Sequence, residues 1–274
     1  MARDVVSAKL DIIFKKIFTD NRDMLHEFVA DMLEIPSESI KEIVITNPEL
    51  VPETIDGKFS RLDLNMKIDD KLVNLEIQVR SEDDFRDRTL FYWAKLYTSE
   101  LKKGEIYGNL KKTITLNIVN FNLFECEDYH SEVVTAVKDR DEIFSDKFSI
   151  HFFELQKVNK KVDPDNRREL WMHFLNASSE EEFEMLKDTK VPIMERAVNV
   201  IYDLSEDTRV RELARMREKA LHDEASALAN AENRGRAEGR TEGRAEGRAE
   251  ERHFLISKLK AKGMTDEQIN ALLN

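Results

Sequence analysis

The sequence predicts an α/β domain followed by a helical carboxy-terminal region, and three observations carry that prediction. Apolar residues recur at helical spacing near the amino terminus, two alternating runs flank Asp69 and Asp70 as a strand hairpin would, and from residue 163 onward the chain is charged with few turn residues. The 274 residues are 36% charged and 41% hydrophobic with a net charge of −12. That is enough for one globular domain of roughly 150–200 residues plus further elements, and too little for a large multidomain machine.

Leu10, Ile13, Phe14, Ile17 and Phe18 mark a first helix, and Leu25, Phe28, Val29, Met32 and Leu33 a second. Thr19, Asp20 and Asn21 separate them, because such side chains bond backbone amides in caps and turns, and Pro36 closes the second helix. Residues 60–68 and 71–79 form the hairpin. Ser81 and Asp84 have the spacing of a cap for a helix marked by Leu90, Ala94, Tyr97 and Leu101, which Gly104 can end. Strands return at 113–121 and 148–155, and Pro192 opens an amphipathic helix.

Four segments follow: a main domain over 1–160, an acidic helical region over 161–231, a tetrad repeat over 232–252 and a helical hairpin over 253–274. In the repeat, Gly235, Gly239, Gly243 and Gly247 recur every four residues, with Arg and Glu each in a row of their own. Like charges therefore stand at i,i+4, and each glycine costs a helix about 1 kcal/mol relative to alanine. The segment reads either as a solvated linker or frayed helix, or as a helix paired with a partner across its glycine face. Thr265 and Gln268 have capping-box spacing at the last helix.

Composition sets limits on function. The apolar runs are too short to span a membrane and the amino terminus lacks the pattern of a signal peptide, so a cytoplasmic protein is expected. Cys126 is the only cysteine, which excludes an internal disulfide and a cysteine zinc cluster, and a buried thiol is expected there. The acidic balance argues against binding nucleic acid through bulk charge. The six histidines show no close metal-ligand spacing, and no phosphate-loop motif occurs, so no nucleotide cofactor is expected.

The hairpin carries the most chemistry. With Ile68 opposite Lys71, Leu62 meets Ile77, Leu64 meets Leu75 and Met66 meets Val73 on an apolar face. Asp63 falls opposite Glu76 on the other, and Arg61 opposite Gln78. Two facing carboxylates repel by roughly several tenths of a kcal/mol unless a cation or solvent relieves them. A solvated polar face and a magnesium site both fit this pattern.

Several stretches together resemble the PD-(D/E)XK nuclease family transposases, also called recombination-promoting nucleases (Rpn). They are D-I-I-F-K-K-I-F at 11–18, G-K-F-S-R-L-D-L at 57–64, N-L-E-I-Q at 74–78, R-x-L-x-Y-W-x-K-L-Y at 88–97, K-K-G-x-x-Y at 102–107 and I-V-N-F-N-L-F at 118–124. The resemblance spans roughly residues 1–231. It implies a restriction-endonuclease-like core, a mixed sheet flanked by helices, that cleaves DNA with Mg2+, or with Mn2+ in its place, and it links the chain to recombination and mobile elements.

Carried over by position, Asp63 and Glu76 are catalytic metal ligands, and Ile77 completes the metal set. Gln78 stands where the wider superfamily places a lysine, and Leu62 where it places the motif's proline. Gln78 is a variant found in this group, although a neutral amide cannot supply a lysine's charge. Asp11 and Lys15, one helical turn apart, are further catalytic candidates if they face the sheet, or else a surface ion pair. Arg61 and Arg88 are candidates for contacting DNA, while Tyr92 and Trp93 read as packing residues. A homodimer is expected, since two sites cut two strands. The competing expectation is a catalytically inactive nuclease fold acting as a binding or assembly module through its helical tail.

Overall fold

A computed structural model describes residues 4–46, 64–265, 267, 268 and 272. The chain divides into two compact units, Met1–Arg217 and Glu218–Asn274. The first opens with α1 (Asp11–Asp20) and α2 (Arg22–Leu33), as the apolar spacing predicts. Asn21 separates them, its side-chain amide donating to the Ile17 carbonyl. Glu34, in the left-handed region at φ 50°, ends α2 two residues before Pro36.

Among the described residues the sheet has six strands. They are β1 (Ile43–Ile45), β2 (Leu64–Ile68), β3 (Lys71–Gln78), β4 (Thr113–Val119), β5 (His130–Ala136) and β6 (Ile143–Glu154), in the order β1-β2-β3-β4-β6-β5. β3, β4 and β6 run parallel, and the other pairs are antiparallel, so the sheet is mixed. The hairpin register is the expected one, with Ile68 beside Lys71, Met66 beside Val73 and Leu64 beside Leu75. Asp69 makes the tight turn possible by adopting φ 52°. Its carboxylate also accepts the backbone N–H groups of Lys41 and Glu42, anchoring the turn beside β1.

Helix α3 (Phe85–Thr98) starts at Phe85 and ends at Thr98, short of Leu101 and Gly104. Ser81 does not cap it. At its end the hydroxyls of Thr98 and Ser99 bond to the Ala94 and Leu96 carbonyls and satisfy the last turn in place of a glycine. Phe85 packs with Val119, Phe121, Ile150 and Phe152, and Trp93 joins them while donating to the Thr113 carbonyl at 2.9 Å. The packing expectation for Trp93 therefore holds.

Behind the sheet, α4 (Arg167–Asn176), α5 (Glu180–Asp188) and α6 (Pro192–Glu206) form a layer with α1 and α2. Phe18, Phe28 and Trp171 meet at ring separations of 4.5 and 5.2 Å, and the Trp171 indole donates to Asp31 at 2.7 Å. Pro192 takes the first helical turn of α6, as predicted. Helix α7 (Thr208–Ala261) begins in the first unit, where Val210 and Ala214 are buried. Residues 161–217 thus lie in the same compact unit as the sheet.

In the second unit the tetrads are continuously helical, and every side chain from His222 to Leu255 is exposed. Gly263, at φ 85°, follows the helix end, and the predicted capping box forms between Thr265 and Gln268.

Candidate active site

Side chains alternate across a strand, so the register sorts the sheet into two faces. One face carries Asn74, Glu76 and Gln78 on β3, beside Thr115, Asn117 and Val119 on β4. Farther along, the same face becomes apolar at Ile150 and Phe152 of β6, where α3 packs. A central strand in a parallel array is ordinarily apolar on both faces. The polar alternation Thr113, Thr115, Asn117 in β4 departs from that rule. It was visible in the sequence and missed.

Glu76 is 9% exposed. Arg88, from the first turn of α3, brings Nη2 to 3.9 Å from its carboxylate, too far for a hydrogen bond. Nη1 donates to Glu82, and the group rests on the Phe85 ring with its carbon 5.3 Å from the centroid. Nη2 is buried and, among the described residues, has no hydrogen-bond partner. Gln78 completes the constellation by donating to the Arg80 carbonyl and to Glu82, each at 3.1 Å. Its amide braces the carboxylate that holds Arg88.

Two buried oxygens on this face, Asn117 Oδ1 and Thr115 Oγ1, also lack hydrogen-bond partners among the described residues. Asn117 is fixed by its amide nitrogen, which donates to the His151 carbonyl at 3.1 Å, and β4 sets it beside Glu76. An oxygen-only set of a carboxylate and a side-chain carbonyl suits a hard divalent cation and not a thiophilic one. Among the described residues no group of three or more His, Cys, Asp or Glu converges as a metal cluster. Ile77 neighbours Ile118 with its side chain buried, leaving its carbonyl as the only group able to reach a metal.

Asp63 and Arg61, with their expected pairings to Glu76 and Gln78, lie outside the described residues. Asp11 and Lys15 do not form the surface ion pair that their spacing allows. Asp11 accepts a two-pronged bond from Arg217, with contacts of 2.9 and 2.5 Å, while Lys15 is 4% exposed. Cys126 is exposed, contrary to the expected buried thiol, because its loop between β4 and β5 runs over the surface.

Burial also brings together groups far apart in sequence. Glu154, fully buried, accepts the backbone N–H groups of Leu123 and Phe124 and pairs with Lys157 at 2.9 Å, so it anchors a loop and has no vacancy for a ligand. His130 and His151 meet across β5 and β6, 3.0 Å apart, although the sequence suggested no close pairing of histidines. An arginine can only donate, so Arg168, 3.2 Å from His130 Nδ1, fixes that nitrogen as an acceptor. His130 Nε2 then donates to His151 Nδ1. His151 Nε2 in turn donates to Ser149 at 2.9 Å, and the Ser149 hydroxyl donates to Glu132 at 2.8 Å. The chain runs one way, from a cation to a carboxylate, through two neutral imidazoles. Burial, with the positive charge of Arg168 among the lesser causes, holds the His130 pKa below its usual value and pushes that of His151 down to about 4.

No helix of the described residues is long and apolar enough to cross a membrane. No curated protein and no solved structure matches the chain. The family model of the PD-(D/E)XK nuclease family transposases matches residues 8–231, which take in both helical layers, the mixed sheet and the Glu76 face. With most of its length inside that match and a sheet of the restriction-endonuclease-like kind, the chain belongs to the PD-(D/E)XK nuclease family transposases.

Proposed function

We propose that the protein is a magnesium-dependent DNA endonuclease that hydrolyses phosphodiester bonds, with Mn2+ able to substitute and with the family's link to recombination and mobile elements. The observation that supports it most is the pairing, on one sheet face, of the Glu76 carboxylate with a buried guanidinium nitrogen that makes no hydrogen bond among the described residues. Glu76 and Asp63 would hold the cation, with Asn117 Oδ1 and the Ile77 carbonyl as further oxygen donors. When bound, such a cation supplies a water acidic enough to attack phosphorus and neutralises charge on the phosphate.

The chain's own groups do the rest. Arg88 Nη2 donates to a non-bridging phosphate oxygen and replaces the charge that a lysine at position 78 would bring. Glu82 and the Phe85 ring keep the guanidinium planar to that oxygen. Gln78 carries no charge and acts by bracing Glu82. DNA is held elsewhere by local cations such as Arg61, since the net charge repels it at long range.

The test is cleavage of supercoiled plasmid with magnesium, manganese or calcium by the intact protein, Asp63→Ala and Glu76→Ala. Relaxation or linearisation that needs magnesium or manganese and disappears in both variants supports the proposal. Absence of cleavage by the intact protein, or equal cleavage by the variants, overturns it in favour of an inactive nuclease fold that binds or assembles.

A further inference from the structure

We propose that the R-x-E-G segment of α7 is a homodimerisation surface on which two copies pair in parallel, glycine row against glycine row. Three properties of this helix carry the inference. Its side chains are exposed all round from His222 to Leu255, so no described residue of its own unit covers it. A Cβ added at Gly235, Gly239, Gly243 or Gly247 would meet nothing within 4 Å beyond the helix's own backbone, so the glycine row is open to a partner. Finally, the repeated charges do not satisfy one another. From Glu238 to Glu250 no ion pair forms among the described residues, because within that stretch each Arg and Glu finds only glycine, alanine, threonine or a like charge three or four positions along, while Arg236 pairs outside it with Glu232.

The occupant follows from the order of the rows. At about 100° per residue, the Arg row lies about 90° to one side of the glycine row and the Glu row about 90° to the other. A second copy related by a two-fold axis parallel to the helices presents its Glu row to the first copy's Arg row on one flank, and the reverse on the other. An antiparallel two-fold sets Arg against Arg and Glu against Glu. The pattern is self-complementary in one sense only. Rows of i,i+4 residues interdigitate at a crossing angle of about −50°, which confines the contact to a few turns and fits a repeat of only four glycines.

This proposal stands apart from cleavage, since association is measured without DNA. Light scattering of the full chain at micromolar concentration and low salt should give a dimer that weakens as salt is raised. The double variant Gly239→Leu/Gly243→Leu fills the glycine row while favouring an isolated helix, and should be monomeric with helical content undiminished. Spin labels give the sense of pairing, placed in Cys126→Ser protein at Asn233→Cys or at His253→Cys, sites about 30 Å apart along the helix. Short same-site distances at both positions are expected. A monomeric full chain, a double variant that still dimerises, or short distances only between position 233 of one copy and 253 of the other would each overturn the proposal.

Discussion

At the scale of single residues, the proposal rests on Arg88 bringing the positive charge that a lysine at position 78 would otherwise supply. If the Arg88 guanidinium carries the charge on the phosphate, Arg88→Ala should lower kcat by about 100-fold while leaving the folding transition within about 1 kcal/mol. Arg88→Lys should restore part of the rate, and single-turnover cleavage beside urea unfolding would show both. Gln78→Lys would place a second cation near Glu82. A gain in rate would argue that charge, and not the bracing amide, limits the reaction.

His151 makes a different residue-scale prediction. Its folded pKa, about 4, lies below the 6.5 expected of an open histidine, so the unfolded chain takes up a proton that the folded chain refuses. Its contribution is present above pH 6.5 and is lost as pH falls toward 4, in total on the order of 3 kcal/mol. His151→Gln should flatten that slope between pH 6.5 and 4, at some cost in stability at neutral pH from the broken hydrogen-bond chain. Urea midpoints across this range measure it.

At the scale of elements, the hairpin was legible because alternation fixes register: a slip of one residue would have turned Leu64, Met66, Val73 and Leu75 to the polar face. α1, α2 and α6 were legible for the same reason at helical period. β5 was not, since Val133, Val134 and Thr135 are its only β-branched residues and no apolar alternation accompanies them. Its place is set by pairing with β6 at the edge of the sheet. The start of α3 was misjudged because Ser81 resembles a cap while Phe85, the residue that packs into the core, decides where the helix begins. Within the candidate site, Glu76 and Gln78 could be read from β3 alone, and Asn117 follows from the broken apolarity of β4. The Arg88 contact depends on how α3 packs on β3, and the histidine chain on the pairing of β5 with β6, neither of which local pattern encodes. The helical layer is a further element-scale test. Trp171→Ala should cost about 3–5 kcal/mol, by removing a fully buried ring and leaving Asp31 one donor short.

At the scale of the whole molecule, the first unit is closed by contacts between its ends. Arg217 grips Asp11, the Val6 amide donates to Ser205, and Lys9 donates to Asn176. A chain stopped after residue 231 should therefore melt like the full protein. One stopped after residue 206 loses Arg217 together with buried Val210 and Ala214, and should melt roughly 10 °C lower. Differential scanning calorimetry of the two truncations distinguishes them.

The Asp11–Arg217 grip also imposes a schedule on synthesis. The two residues are 206 positions apart. At about 5–20 residues per second, a ribosome needs about 10–40 s to deliver the second after the first. During that interval the sheet and its Glu76 face are already made, while α1 waits with a carboxylate whose partner does not yet exist. A nascent chain that stalls before the start of α7 lacks this grip, and by the same argument as the truncation at residue 206 should be the more readily cleaved by protease. Completion of the fold comes with the last stretch of the family region to leave the ribosome.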